Sequence, residues 1–263
     1  MTAPAPDVSL WLLDFDNTLA ALEREVDWPG SRRELEAWLR AAGVDDRIFT
    51  EIPKGNLPIY AALHSRWIST GSGAPHRGAP PPPADPAALL RHASKIIERH
   101  ELVGAARAVA TPGAIELLEA IAARGAVAII VTSNSSRTVQ HWLDRHGVGA
   151  LVRAIVGRDS LLALKPSPEM VARALAIASS LARDALSPID TVEAYPLMSA
   201  TNAVFVGDSL ADFEAARAAG VGFYGVATAE SARDRLVAAG ATDIFTSPAA
   251  LRIHLNLAPT SDQ

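Results

Sequence analysis

Two aspartates one residue apart close an apolar run in Leu12-Leu13-Asp14-Phe15-Asp16-Asn17-Thr18-Leu19. Val8 to Leu13 reads as a buried strand, and a buried strand that ends in two acids must hand them to solvent, a metal or a ligand. If the strand continued, both carboxylates would share one face. A chain leaving the sheet through Asn17-Thr18 can instead aim each at a different task, one attacking and the other moving protons. Asp and Asn also suit strand-to-loop exits, so a plain turn is the alternative reading of these eight residues. Three further polar clusters, each following a predicted strand, favour chemistry. They are Thr132-Ser133-Asn134 after Val131, Lys165 in Leu164-Lys165-Pro166-Ser167 beyond the strand near Val156, and Gly207-Asp208-Ser209 after Val206.

The elements that must carry these clusters alternate in kind. Apolar strands are predicted at 126–131, 154–156, 203–206, 222–226 and 243–246. Between them lie helices from Thr111-Pro112 to about Arg124, 136–146, Ser167-Pro168 to about Leu181, 210–219 and 230–239, with a last helix from Pro248. Strands separated by helices imply an α/β fold, a Rossmann-like doubly wound parallel sheet with helices on both faces. Ligands bind such a sheet at the carboxyl ends of its strands, where every suspect residue falls. Residues 20–110 are too long for a connection. There, Ser31-Arg32-Arg33-Glu34 resembles a capping box opening a helix to Ala42, 57–70 reads as a second helix, and Asp85-Pro86 opens a third to about His100. The expected organisation is therefore a core of residues 1–19 and 111–263 with 20–110 inserted as a helical module. The proline-rich stretch 74–86, including Pro80 to Pro83, reads as a stiff connector, and 183–199 as an irregular excursion.

Bulk properties exclude several classes. The 263 residues carry a formal net charge of -5 and no basic cluster, so no nucleic-acid or anionic-membrane partner is expected. With no cysteine, thiol nucleophiles and thiolate-held metals are ruled out, and any metal must sit on oxygen or imidazole. The start of the chain lacks a basic signal region and the following apolar run is short, which predicts a cytoplasmic location. Only Lys54, Lys95 and Lys165 are lysine, the other basic residues being arginine. The scattered histidines, among them His92, His100, His141 and His146, lack metal-ligand spacing, and Trp11, Trp38, Trp67 and Trp142 read as packing residues.

Taken together, Asp14-Phe15-Asp16-Asn17-Thr18-Leu19, the strand into Thr132, Lys165-Pro166-Ser167-Pro168-Glu169 and Gly207-Asp208-Ser209-Leu210-Ala211-Asp212 resemble the four ordered motifs of the haloacid dehalogenase-like hydrolase superfamily. The long helical insertion resembles the cap of its phosphoglycolate-phosphatase-like branch. The resemblance implies a Mg2+-dependent phosphatase acting on a small phosphorylated metabolite through an aspartyl-phosphate. Asp14 would be the nucleophile, while Asp16 would protonate the leaving group and then activate water. Asp14, the Asp16 backbone carbonyl and Asp208 would hold Mg2+. Thr132, Ser133, Asn134 and Lys165 would bind the phosphoryl oxygens, with Asp212 supporting through water or Lys165. The residue chemistry points the same way, since a phosphate monoester needs an in-line nucleophile, an acid and positive charge.

Other readings stay open. In the resembling dehalogenases and phosphonatases the second acid is absent, so Asp16 favours phosphoryl transfer, to water or, in a phosphomutase, to sugar. Lys54, in Ile52-Pro53-Lys54-Gly55, reads as a surface or substrate-phosphate contact. A Schiff-base role in a phosphonatase-like C–P hydrolase would show as inactivation by borohydride with substrate. A non-catalytic scaffold would not need a nucleophile and an acid two residues apart. Monomer and homodimer are both compatible with the sequence.

Overall fold

Leu10-Trp11-Leu12-Leu13 is apolar at every position, and in the computed structural model it becomes β1 (Leu10–Leu13), buried on both faces at the middle of the sheet. The structure describes residues 8–52, 54–68, 85–184 and 200–257. Five more strands join it: β2 (Val127–Val131), β3 (Ala154–Val156), β4 (Ala203–Gly207), β5 (Gly222–Val226) and β6 (Ile244–Phe245). All pairings are parallel, in the order β3-β2-β1-β4-β5-β6. From β1 the chain thus adds β2 and β3 on one side of the sheet and β4, β5 and β6 on the other, and this switch in strand order opens a crevice at the carboxyl ends.

The period of two along β1 divides the core. Leu10 and Leu12 face a cluster shared with Ile129, Val131 and Phe205, whereas Trp11 and Leu13 face one shared with Ile130, Val204 and Val206. Helices α7 (Glu169–Asp184) and α8 (Leu210–Ala218) cover the first face through Val171, Ala174 and Ala215. Helices α5 (Ala114–Ala123), α6 (Ser136–His146) and α10 (Pro248–His254) cover the second through Leu117, Trp142 and Leu251. Helix α9 (Glu230–Ala238) packs Leu236 in a small outer cluster. Each fully buried leucine contributes about 1.5–3 kcal/mol of transfer free energy.

Between β1 and α5 stand α1 (Trp28–Ala41), α2 (Arg47–Glu51), α3 (Asn56–Trp67) and α4 (Pro86–Ala105). Their apolar residues, among them Leu35, Leu39, Ile59, Leu63 and Ile96, belong to the same contiguous cluster as Leu10 and Leu12 of the sheet. Tyr60 donates to the Arg158 carbonyl at 3.2 Å, and His64 Nε2 lies 2.9 Å from the Leu161 carbonyl, so α3 also grips the segment after β3. No described helix is long and apolar enough to cross a membrane.

Three local expectations are corrected. Helix α1 begins three residues before Ser31, because the Asp27 side chain accepts from Gly30 N at 2.9 Å and caps it; Ser31 is buried inside the helix and accepts from Asn56 Nδ2 at 2.8 Å. Helix α4 runs past His100 to Ala105 because its last turns are buried, with Glu101, Gly104 and Ala105 facing inward. The first strand begins at Leu10, although Ser9 still joins the ladder by donating to Asn202 O and accepting from Val127 N. The Pro80 to Pro83 run and residues 185–199 lie outside the described residues.

Candidate active site

The parallel register sets Leu13 level with Ile130 and Val206, and Asp14 N donates to the Val206 carbonyl at 2.9 Å. Each of the three central strands is followed at once by a polar residue, Asp14 after Leu13, Thr132 after Val131 and Asp208 after Gly207. These open onto a cavity of about 860 Å³ that also exposes Asp16, Ser133, Asn134 and Lys165, and that α1 and the loop before α3 border with Trp28, Arg32 and Lys54.

Lys165 knits this edge together. Its ammonium donates to Asp14 Oδ1 at 2.5 Å, to the Val131 carbonyl at 3.0 Å and to Asp212 Oδ1. Burial alone would pull the lysine pKa down, but Asp14 and Asp212 on either side hold it above its ordinary value. Asp212 reaches it from the first turn of α8, where its other oxygen closes a capping box with Ser209 N and Oγ. Gly207 makes this approach possible, since a Cβ there would stand 2.6 Å from the Asp212 side chain.

Asp14, Asp208 and Asp212 each offer an oxygen within 4.8 Å of the others. No described side chain donates a hydrogen bond to Asp208, and the single charge of Lys165, paired with the other two acids, leaves the trio anionic on balance. An all-oxygen, over-anionic donor set of this kind suits a hard divalent cation. The crowding is visible in the proton affinities. Burial, then the Asp212 charge, pushes Asp14 up to about 6, and burial, then Asp14 and Asp212, pushes Asp208 up to about 8. Folded Asp14 and Asp208 thus bind protons more tightly than the same two acids do near their ordinary 3.8 in the unfolded chain. The stabilisation this gives is complete below that ordinary value and is lost as pH rises through about 6 to 8. Metal-free protein should therefore melt at higher temperature at pH 6 than at pH 8.5, and millimolar Mg2+ should narrow the gap by stabilising the high-pH form. Melting curves with EDTA and with Mg2+ check this; a gap that Mg2+ leaves untouched would count against a cation at these acids.

Asp16 turns away from that trio. Its Oδ1 accepts from Leu22 N at 3.0 Å and Glu23 N at 2.8 Å, where the chain starts into α1. Asn17, at φ 59°, supplies the left-handed step that returns the chain so that Asn17 N reaches the Ala20 carbonyl. Burial outweighs the two N–H donors and pushes Asp16 up to about 7, the range in which a carboxyl can both give and take a proton near neutrality.

Thr132 is 1% exposed, and its hydroxyl donates to Asn134 Oδ1 at 2.9 Å while accepting from Asn134 N at 3.1 Å. In this arrangement Thr132 and Asn134 are occupied with each other. The N–H and hydroxyl of Ser133 have no partner among the described residues, which makes Ser133 the free donor of the trio. Lys54 is exposed at the cavity rim. Its loop is pinned by Arg32, which donates to Ile52 O and Gly55 O at 2.7 Å each. Two residues beside the site have no counterpart in the sequence reading, Glu101 and Arg158, both fully buried and paired at 2.8 Å. Arg158 follows β3 as the other site residues follow their strands, which was a usable signal. Glu101 lies near the end of α4, after Glu98, Arg99 and His100, and offered none.

The family model for haloacid dehalogenase-like hydrolases matches residues 87–226. A phosphoglycolate phosphatase of Pseudomonas fluorescens is 32% identical over 124 residues, covering 47% of this chain and 37% of that protein. A phosphoglycolate phosphatase of Pseudomonas savastanoi is 29% identical over 220 residues, covering 81% of this chain and 59% of that protein. The chain thus spans between about a third and three fifths of the length of these curated relatives. Among solved structures, CbbY from Rhodobacter sphaeroides in complex with phosphate superposes with a TM-score of 0.56 at 22% identity, over 95% of this chain and 100% of that one, a likeness of fold.

Proposed function

This chain belongs to the haloacid dehalogenase-like hydrolases, and on that premise we propose that it is a Mg2+-dependent phosphatase that hydrolyses a small phosphate monoester through a phosphorylated Asp14. Residues 20–110 serve as the cap over a core built from 1–19 and 111–263. The observation that carries this reading is the grouping of Asp14 with Asp208 and Asp212 within 4.8 Å, beside Lys165 and in one cavity with Asp16.

Asp14, the Asp16 carbonyl and Asp208 would hold the ion, whose positive charge would offset the repulsion between the attacking carboxylate and the phosphate dianion. Lys165 holds Asp14 by Oδ1, and the carboxylate attacks phosphorus in line. The ester P–O bond breaks as protonated Asp16 gives its proton to the departing oxygen. Asp16, now a carboxylate, takes a proton from a water that attacks phosphorus of the acyl phosphate. This releases inorganic phosphate and restores Asp14. Ser133 donates to a phosphoryl oxygen beside the start of α6, a position that favours anions, and Lys165 compensates the charge. The hydrogen bonds from Leu22 and Glu23 hold Asp16 in place for both proton transfers.

Lys54 reads out the rest of the substrate. An exposed ammonium on a loop whose backbone is pinned, lining the same cavity as Ser133 and Lys165, suits a second anionic group, a carboxylate or phosphate, as in phosphoglycolate or a sugar bisphosphate. Assay of phosphorylated metabolites with Mg2+ and with EDTA tests the activity, and an inert protein on every ester would end the proposal. Lys54→Ala should raise KM about tenfold or more for a doubly anionic substrate, the loss of one charged hydrogen bond. Its KM for p-nitrophenyl phosphate should stay near wild type. Equal effects on both substrates would remove Lys54 from recognition.

A further inference from the structure

Resting on the phosphatase reading, we propose that Glu101, acting through Asn134 and Arg158, is the positioning residue that holds the phosphate-binding loop 132–135 in its donating geometry. Glu101 lies in α4, within the inserted segment, whereas the loop lies after β2 of the core. Its carboxylate is fully buried and receives five hydrogen bonds. Oε1 accepts from Asn134 Nδ2 at 3.0 Å and Arg158 Nη1 at 2.8 Å. Oε2 accepts from Ser135 N at 3.2 Å, Thr138 Oγ1 at 3.2 Å and Arg158 Nη2 at 3.0 Å.

Arg158 spends every donor it has, partly on α4 and partly on the loop itself. Beyond the two bonds to Glu101, Nη1 donates to the Ser133 carbonyl at 2.7 Å, Nη2 to the Ser94 carbonyl at 3.3 Å and Nε to Ser94 Oγ at 3.1 Å. Its backbone N–H donates to the Asn134 carbonyl at 2.9 Å. The carbonyls of Ser133 and Asn134 are thereby drawn toward Arg158. The Asn134 side chain is fixed between Glu101 and Thr132, and Ser135 N is taken by Glu101. Ser133 keeps its N–H and hydroxyl without a partner among the described residues, and it lines the cavity. A surface loop would spend these donors on water or on itself; here a buried carboxylate and guanidinium absorb the competing groups and leave Ser133 free. Neither Glu101 nor Arg158 lines the cavity, so both act at one remove from the phosphoryl group.

The test measures binding of inorganic phosphate to Mg2+-loaded protein by calorimetry, together with kcat, KM and melting temperature. Glu101→Gln keeps the shape but loses the charge. Arg158→Lys keeps the charge but loses the fork that also holds Ser133 O, and it serves alone if Glu101→Gln does not fold. Ser94→Ala weakens only the far side of Arg158. Glu101→Gln and Arg158→Lys are expected to weaken phosphate binding roughly tenfold, with Mg2+ affinity within about twofold of wild type. Ser94→Ala is expected to bind phosphate as wild type does even where its melting temperature falls. Folded Glu101→Gln or Arg158→Lys protein with wild-type phosphate affinity and KM would overturn the inference and leave the phosphatase reading standing. A wild-type protein that neither binds phosphate nor hydrolyses an ester would overturn both.

Discussion

Asp14→Asn should leave hydrolysis at least about a thousandfold below wild type with Mg2+ saturating, because an amide oxygen of the same shape cannot form the acyl phosphate. The substitution should not unfold the protein. Asp14 is a costly charge where it stands, pushed up to about 6 by burial and by Asp212, so a neutral isostere relieves repulsion among the three acids while giving up one hydrogen bond from Lys165. The melting temperature of metal-free Asp14→Asn at pH 8 is accordingly expected to match or exceed that of wild type. Rates on the best ester, measured beside melting curves, separate the two effects. A well-folded variant within tenfold of wild-type turnover would remove Asp14 from the nucleophile's role.

Lys165→Met should cost both activity and fold. The ammonium is 4% exposed and is the one described cation within salt-bridge reach of Asp14 and of Asp212, the latter wholly buried. Removing one partner of a buried pair costs about 3–5 kcal/mol. In a chain of this size that is a fall of roughly 6–20 °C in melting temperature. The sign of the pH dependence follows from the acids left behind. Without the lysine, which holds them down, the proton affinities of Asp14 and Asp208 rise further, so the loss should be smaller at pH 6, where they can protonate, than at pH 8. An equal loss at both pH values would mean that the lysine's apolar stem, rather than its charge, carries the stability.

The parallel α/β architecture was legible because strands buried on both faces are apolar without interruption, as in Ala128-Ile129-Ile130-Val131, and because caps and glycines punctuate the helices between them. The limits of helices were less legible. Ser31 followed by Glu34 carries a capping signature, yet Asp27 does the capping, since both satisfy the same chemistry and tertiary burial of Ser31 against Asn56 selects between them. The end of α4 was hidden for a related reason: Glu101 looks like a solvated helix residue, and only the approach of Arg158, 57 positions away, makes it a buried ion.

By itself the sequence determined which residue types stand at the strand ends, and hence that Asp14, Thr132 and Asp208 share one edge, because strands joined by helices run parallel and bring their carboxyl ends together. Tertiary structure alone decided how those groups divide the work: Lys165 between Asp14 and Asp212, Asp16 turned to the backbone of Leu22 and Glu23, and Ser133 left with its donors free. Hydrogen-bond partners and proton affinities depend on burial and on contacts between distant segments, and no spacing along the chain encodes those distances.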